Sequence, residues 1–188
     1  MKKLIYLTLL ISVFYACQKD DCNKKDVYYN VRDVDKNMLP YSGYDTITYV
    51  RTNVGDTHTF IGIGKKVTYD VQSENADCGN TLYYEKYYYT YKSSDFNNIV
   101  IGQNIPLVST SRANTFFDFN NQYFDGSLYL NEANLDSIIV LNKKYYNVQF
   151  IPDDKPYKAY FNKEYGCIKM VFTNGDTWEL LNFKKYTV

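Results

Sequence analysis

The stretch "TITYVRTNVGDTHTFIGIG", residues 46–64, decides the fold class of this protein. On each side of the central "NVGD" (residues 53–56), polar and apolar residues alternate, so that Ile47 and Tyr49 share one face of an extended segment. Two alternating runs separated by a short Asn- and Gly-containing connection are typical of a β-hairpin. The stretch therefore predicts two antiparallel strands.

The same pattern continues along most of the chain. A second hairpin is predicted around "NK" (residues 142–143), and the strongest turn signal is Asn174-Gly175. No run of ten or more residues has a clear helical period. We therefore expect an all-β protein, an antiparallel meander that closes into a barrel-like or two-layer β-sandwich single domain. Further strands are predicted in residues 65–72, 81–92, 97–102, 114–119, 127–130, 135–141, 144–151, 156–162, 167–172 and 177–183.

The composition is that of a globular protein rich in tyrosine. Of 188 residues, 45% are hydrophobic, 22% are charged and 22 are tyrosines, a residue that favours strands. The formal net charge is zero. Since nucleic acids bind clustered basic surfaces, we expect no nucleic-acid partner.

The first sixteen residues have the layout of a signal peptide. Met1, Lys2 and Lys3 form a positive start, and residues 4–16 are an apolar run that ends on a small residue. As a helix, thirteen residues span about 20 Å, which is short of the roughly 30 Å hydrocarbon core of a bilayer. We predict a signal peptide over residues 1–16.

The cleavage region "FYAC" (residues 14–17) resembles the lipobox of bacterial lipoproteins. That resemblance implies that Cys17 carries the lipid and becomes the first residue of the mature protein, with residues 17–25 as a lipidated tether. Several acyl chains on one residue give stable membrane anchoring where a single chain does not. The membrane is therefore the first expected partner, through Cys17.

The next residues resemble a second signal. "CQKDD" (residues 17–21) is similar to the surface-export signal of Bacteroidota lipoproteins, and the positions that match it are Gln18, Lys19, Asp20 and Asp21. The resemblance implies an outer-membrane lipoprotein at the cell surface, with the periplasmic leaflet as the alternative. Residues 39–62 and 157–180 also resemble segments of small Bacteroidota lipoproteins of unknown function, which implies placement and architecture but no substrate.

Three cysteines remain if Cys17 is acylated, and an exported protein can form disulfides. Cys22 and Cys78 lie among polar turn residues, whereas Cys167 lies in a strand-like run. We predict a Cys22–Cys78 disulfide and a free, buried Cys167. With one histidine and no CxxC pattern, we expect no metal site.

The sequence contains no catalytic motif, so we predict no catalytic residue and no cofactor. The single histidine, His58, is interpreted as a surface or half-buried strand residue. The sequence alone cannot pair the acidic residues into a hydrolase site, and the candidates are Asp45, Asp70, Glu85, Asp118, Asp125 and Glu132. In residues 118–126 an Asn- and Gly-rich turn is favoured over a calcium loop.

The run "TLYYEKYYYTYK" (residues 81–92) is the most distinctive chemical feature. An exposed row of tyrosines could stack on sugar rings, and the alternative is a tyrosine-rich core in which each buried hydroxyl finds a partner. Strict alternation would place four on one face as a candidate glycan platform: Tyr83, Tyr87, Tyr89 and Tyr91.

These observations favour a non-catalytic lipoprotein that binds a surface glycan or an outer-membrane protein, or serves as an accessory subunit. A barrel-type carrier of a small apolar ligand is the first alternative, and a carboxylate-based hydrolase is the second. We expect residues 26–188 to form the single β domain that carries the function.

Overall fold

The computed structural model describes residues 25–73, 79–105, 113–119, 122–126, 135–151 and 155–187. The signal peptide, the lipidation and export residues Cys17–Asp21, and both cysteines of the predicted disulfide, Cys22 and Cys78, lie outside the described residues. Glu132 lies outside them as well.

The described residues form strands and one short helix, as the alternating pattern predicts. The elements are β1 Asp26–Tyr29, α1 Asp33–Lys36, β2 Thr46–Arg51, β3 Asp56–Ser73, β4 Thr81–Lys92, β5 Ile99–Asn104, β6 Asn114–Phe119, β7 Gln122–Gly126, β8 Leu135–Val140, β9 Lys143–Ile151, β10 Lys158–Asn162, β11 Gly166–Val171 and β12 Thr177–Lys184. No helix within these residues is long and apolar enough to cross a membrane.

The strands form an antiparallel meander with one long-range junction. Their order is β7-β6-β5-β4-β3-β2-β12-β11-β10-β9-β8, and β1 pairs with β4. The hairpin predicted over residues 46–64 is confirmed, with Thr46 opposite Ile61 and Arg51 opposite Asp56. At the junction the last strand pairs with β2, so that Trp178 lies opposite Arg51. The all-β prediction is confirmed.

The chain divides into two compact units. The described residues of the larger unit lie within 28–70 and 84–187, and those of the smaller unit lie within 25–27 and 71–83. In the smaller unit, the Thr81 amide donates a hydrogen bond of 3.1 Å to the Lys25 carbonyl. The prediction of a single domain over residues 26–188 stays a prediction.

In the larger unit the sheet curls into a half-barrel, which decides between the two predicted architectures. Aromatic rings from opposite parts of the sheet meet in its interior. Phe119 and Trp178 have centroids 4.9 Å apart, and Phe124 and Phe172 have centroids 5.5 Å apart. These side chains are buried, so part of the interior of the half-barrel is filled by aromatic rings.

The turn between β8 and β9 lies one residue earlier than predicted. Leu141 and Asn142 have positive φ values of 46° and 66°, so the turn residues are Leu-Asn and not "NK". A two-residue hairpin turn of this type requires positive φ at both positions, which Asn tolerates and Leu does not favour. The sequence pattern missed the position because Leu141 reads as the end of an apolar strand.

Candidate functional site

An open polar depression on the larger unit combines charged, polar and aromatic residues. Its volume is about 520 Å³, within the range of roughly 300–1,000 Å³ that ligand sites occupy. It lies where the end of β1 and helix α1 meet strands β3 and β4. The residues that line it are Asn30, Val31, Arg32, Asp33, Lys36, Tyr69 and Glu85.

Helix α1 forms one wall of the depression. It has a single turn, Asp33–Lys36, whose backbone hydrogen bonds include Asn37 N–H to the Asp33 carbonyl at 3.0 Å. Arg32 precedes the helix and folds over it: its Nε and Nη2 donate to the Asp35 carboxylate at 2.8 and 2.9 Å. This two-bond pair fixes the guanidinium plane and leaves its other N–H groups at the solvent edge.

Glu85 is the floor of the depression and is only 5% exposed. Its carboxylate accepts a 2.7 Å hydrogen bond from the Val31 amide and pairs with Lys36 Nζ at 3.0 Å. A buried carboxylate is costly unless it is paired and hydrogen-bonded, and both conditions are met here. The pair also ties β4 to the chain segment around α1, across 49 residues of sequence.

A second buried network lies beneath α1 and holds it on the sheet. Gln103 donates through Nε2 to the Asp35 carbonyl at 2.8 Å and accepts a 2.8 Å hydrogen bond from the Tyr87 hydroxyl. Its Nε2 also lies 3.3 Å from Thr115 Oγ1. Burial raises the pKa of Tyr87, so this hydroxyl stays a donor over the whole neutral range.

Two exposed tyrosines stand at the rim of the depression. Tyr69, on β3, lines it and is 41% exposed, and its hydroxyl donates to Asn30 Oδ1 at 3.3 Å. Tyr28, on β1, is 53% exposed and packs against Tyr69 edge to face, with ring centroids 5.6 Å apart. Aromatic surface thus adjoins a polar, charged depression.

These rim tyrosines differ from the predicted glycan platform. Tyr87, Tyr89 and Tyr91 are buried, and Tyr83 is half-buried, so the four do not form an exposed row. The residues of β4 from Glu85 to Tyr91 do alternate, and the physical reason is that the face with Tyr87, Tyr89 and Tyr91 is the buried one.

Asp45 is the centre of a second arrangement, and it is fully buried. Its carboxylate accepts hydrogen bonds from the Ser42 amide and hydroxyl at 2.6 and 2.8 Å and from the Gly43 amide at 3.3 Å. Two more arrive from distant segments, the Tyr91 hydroxyl at 3.2 Å and the Tyr186 amide at 2.9 Å. Five neutral donors therefore replace the water that this charge loses.

The loop that holds Asp45 lies directly on β3, which requires glycine at the contact. A Cβ atom at Gly62 would overlap the carbonyl of Gly43, and Gly43 itself has a φ of +89°. The Gly62 amide donates to the Asp45 carbonyl at 2.9 Å. The close approach thus places main chain against main chain, which a larger residue at position 62 would prevent.

Cys167 is buried and free, which confirms its interpretation as a small core residue. Its amide donates to the Tyr41 hydroxyl at 2.6 Å, and its carbonyl accepts from the Tyr49 hydroxyl at 2.8 Å. Burial raises the pKa of the Cys167 thiol, so this cysteine is unsuited to nucleophilic chemistry.

His58 lies between two carboxylates and is buried, more than its sequence context predicts. Its Nε2 is 3.0 Å from Asp56 Oδ2, and its Nδ1 is 3.1 Å from Asp95 Oδ2. The hydrogen bond from Ser93, together with the nearby imidazole, lowers the pKa of Asp95.

The surroundings of His58 indicate a structural role. Its ring contacts Phe96 and Trp178, with centroids 4.8 and 5.2 Å away. Arg51 Nε and Asp56 Oδ1, which lie opposite each other in the β2–β3 pair, are buried without a hydrogen-bond partner among the described residues. The cluster joins the loop after β4 to the β2–β3 hairpin.

The structure describes five of the six acids considered for a hydrolase site. Asp45 and Glu85 belong to the two separate networks above, and Asp70, Asp118 and Asp125 are exposed. Strands β6 and β7 pair antiparallel, and residues 120–121 between them lie outside the described residues. Burial and these three exposed carboxylates raise the pKa of Tyr123 to about 12. Within the described residues no three His, Cys, Asp or Glu side chains are grouped as a metal ion requires.

Sequence reasoning named Glu85 only as one acid among several, and it did not name Asn30, Arg32 or Tyr69. The depression joins residues from α1, β3, β4 and the segment between β1 and α1, and the bond from Val31 to Glu85 spans 54 positions. A local sequence pattern does not indicate which distant residues will come into contact in this way. Comparison with protein-family models, with curated proteins and with solved structures finds no match to this chain.

Proposed function

We propose that this protein is an outer-membrane-anchored lipoprotein whose β domain is a non-catalytic binding or accessory module for a protein or glycan partner. The anchor is Cys17, the export signal is Gln18–Asp21, and the binding surface is the polar depression between β1, α1, β3 and β4.

The depression with its two exposed tyrosines is the observation that carries the proposal. It combines fixed charges, hydrogen-bonding groups and aromatic surface within one open feature of about 520 Å³. Binding sites are characteristically concave and contain a few convergent polar groups. The buried carboxylates Asp45 and Glu85 and the His58 ring are engaged in structural hydrogen bonds, which favours binding over catalysis as the use of this surface.

Crosslinked capture from intact cells tests the binding role. The full-length protein is compared with a variant that carries Arg32→Ala, Asp33→Asn and Tyr69→Ala, and captured material is analysed for proteins and for monosaccharides. The matched control carries Asp136→Asn and Tyr146→Ala, since Asp136 and Tyr146 are exposed and lie on β8 and β9. We expect the partner to be lost from the depression variant and kept by the control. Identical capture by all three proteins would contradict the proposal.

Metabolic labelling with a palmitate analogue tests the anchor. We expect Cys17→Ala to abolish the label and to release the protein from the membrane, whereas Cys22→Ala keeps both. Protease treatment of intact cells then separates the two membrane leaflets. Digestion before lysis supports surface exposure, and survival until lysis places the protein on the periplasmic leaflet.

A further inference from the structure

The depression has a charge pattern that selects one class of ligand. Two cationic side chains, Arg32 and Lys36, and two anionic ones, Asp33 and Glu85, line the same space. Arg32 is paired with Asp35 and Lys36 with Glu85, so each basic group already has a carboxylate beside it. An anion that entered would meet both carboxylates as well as both basic groups and would gain no net Coulomb attraction.

A neutral ligand that both donates and accepts hydrogen bonds fits this mixture of cationic and anionic side chains. Each sugar hydroxyl offers one donor and two acceptor positions, so it can bridge a carboxylate and a cationic N–H. Arg32 uses only its Nε and Nη2 groups in the bonds to Asp35. Among the described residues, none donates a hydrogen bond to the Asp33 carboxylate, which is exposed at the start of α1.

The rim supplies the apolar surface that a sugar ring also needs. One face of a pyranose carries C–H groups, and these pack on an aromatic ring while the hydroxyls point to the edges. Tyr28 and Tyr69 offer exposed rings at right angles, with an interplanar angle of 89°. Tyrosine is suited to such a place because its ring is apolar and its tip is polar.

We infer that the depression is a binding site for a neutral glycan, with Tyr28 and Tyr69 as the stacking surface and Arg32 and Asp33 as the hydroxyl-binding groups. This inference rests on the proposed binding function and specifies its ligand class. The feature is open to solvent along most of its boundary, which suits the internal residues of a polysaccharide chain. Glu85 and Lys36 hold the floor in place.

Binding of the full-length lipoprotein to a printed array of neutral and acidic polysaccharides tests the inference. We expect binding to neutral members, and a loss of about tenfold or more in affinity for Tyr69→Ala, the scale of an aromatic contact residue. A comparable loss is expected for Asp33→Asn, which preserves the side-chain size. The controls Tyr146→Ala and Asp136→Asn keep the wild-type affinity, and circular dichroism confirms the fold of each variant.

Three results would overturn the inference: binding to acidic polysaccharides alone, binding to no member of the array, or neutral binding that both Tyr69→Ala and Asp33→Asn leave intact. The capture experiment above keeps this failure separate from that of the proposed function. If the array is blank while the depression variant still loses a protein partner in cells, the module binds protein and the glycan assignment is wrong.

Discussion

Asp45 and Glu85 are both buried carboxylates, but the two regions around them are built in opposite ways. Asp45 is 0% exposed and accepts hydrogen bonds from five neutral donors. Glu85 is 5% exposed and is held by one backbone amide and by the ammonium group of Lys36, whose side chain is 27% exposed. One charge is enclosed by dipoles, and the other is paired at the edge of solvent.

This difference separates a structural region from a binding region. Donors to Asp45 come from the loop before β2, from β4 and from the segment after β12, so that the carboxylate joins distant parts of the chain. The five donors around Asp45 are already hydrogen-bonded to its buried carboxylate, so they are not available to a ligand. Beside Glu85, by contrast, cationic and anionic groups remain at a solvent-facing depression, where a ligand can replace water.

Replacing Asp45 should produce the largest loss of stability. In Asp45→Asn the new amide nitrogen faces N–H and O–H donors, so several buried groups lose their acceptor, and we expect a loss of about 3–5 kcal/mol in the free energy of unfolding. Urea denaturation followed by circular dichroism measures it. The exposed Asp70→Asn serves as the control, with a change of about 0.5 kcal/mol or less. A loss under about 1 kcal/mol for Asp45→Asn would refute the enclosed network.

Breaking the Lys36–Glu85 pair should rank second. Lys36→Met leaves a buried carboxylate with one amide donor, and we expect a loss of about 3 kcal/mol, at the low end for a buried pair because Lys36 is partly exposed. The double variant Lys36→Met, Glu85→Gln removes the charge as well. It should therefore recover part of the loss in denaturation measurements. Additive effects of the two changes would show that the pair is not coupled.

Removal of the Tyr91 or the Tyr87 hydroxyl should cause smaller losses of stability, and the two losses should differ. Tyr91→Phe removes a donor to the Asp45 carboxylate, and we expect a loss of about 2 kcal/mol, as for hydrogen bonds to charged groups. Tyr87→Phe removes a donor to the neutral Gln103 amide, and we expect about 1 kcal/mol. Thermal unfolding of both variants gives the ranking. An equal or reversed order would contradict the stronger hydrogen bond expected at Asp45.

The smallest effect is expected at a surface carboxylate, Asp176. Hydrogen bonding to Arg51, whose Nη2 lies 2.6 Å away, lowers the pKa of Asp176 below its ordinary value. A lowered carboxyl pKa adds stability above the unfolded-state pKa of about 4, and this stability is lost as pH falls through the folded-state value. Asp176→Asn should thus cost about 0.5 kcal/mol at pH 7 and flatten the acid dependence of unfolding below pH 4. An unchanged acid limb in pH-dependent denaturation would show that the pair contributes nothing.

The parts of the fold that sequence predicts well are those decided by near neighbours. The 46–64 hairpin follows from alternation and a Gly-containing turn, and Cys167 follows from its apolar strand context. The β8–β9 turn lies one residue from its predicted position, and Tyr87, Tyr89 and Tyr91 lie on the buried face of β4. Alternation groups residues on one face of a strand, but it does not say which face the rest of the chain covers. Helix α1 is only one turn long, too short for any periodicity to indicate it.

By itself, the sequence determined the all-β class and the first hairpin, since a period of two is a property of the extended chain. It also predicts the membrane anchor at Cys17 and the export signal, which remain predictions. Only the tertiary structure decided that Asp45 is enclosed while Glu85 lies beside an open depression with Tyr69 at its rim. The physical reason is that a buried charge needs hydrogen-bond donors from residues far along the chain. Local residue patterns do not show which distant donors will lie beside it.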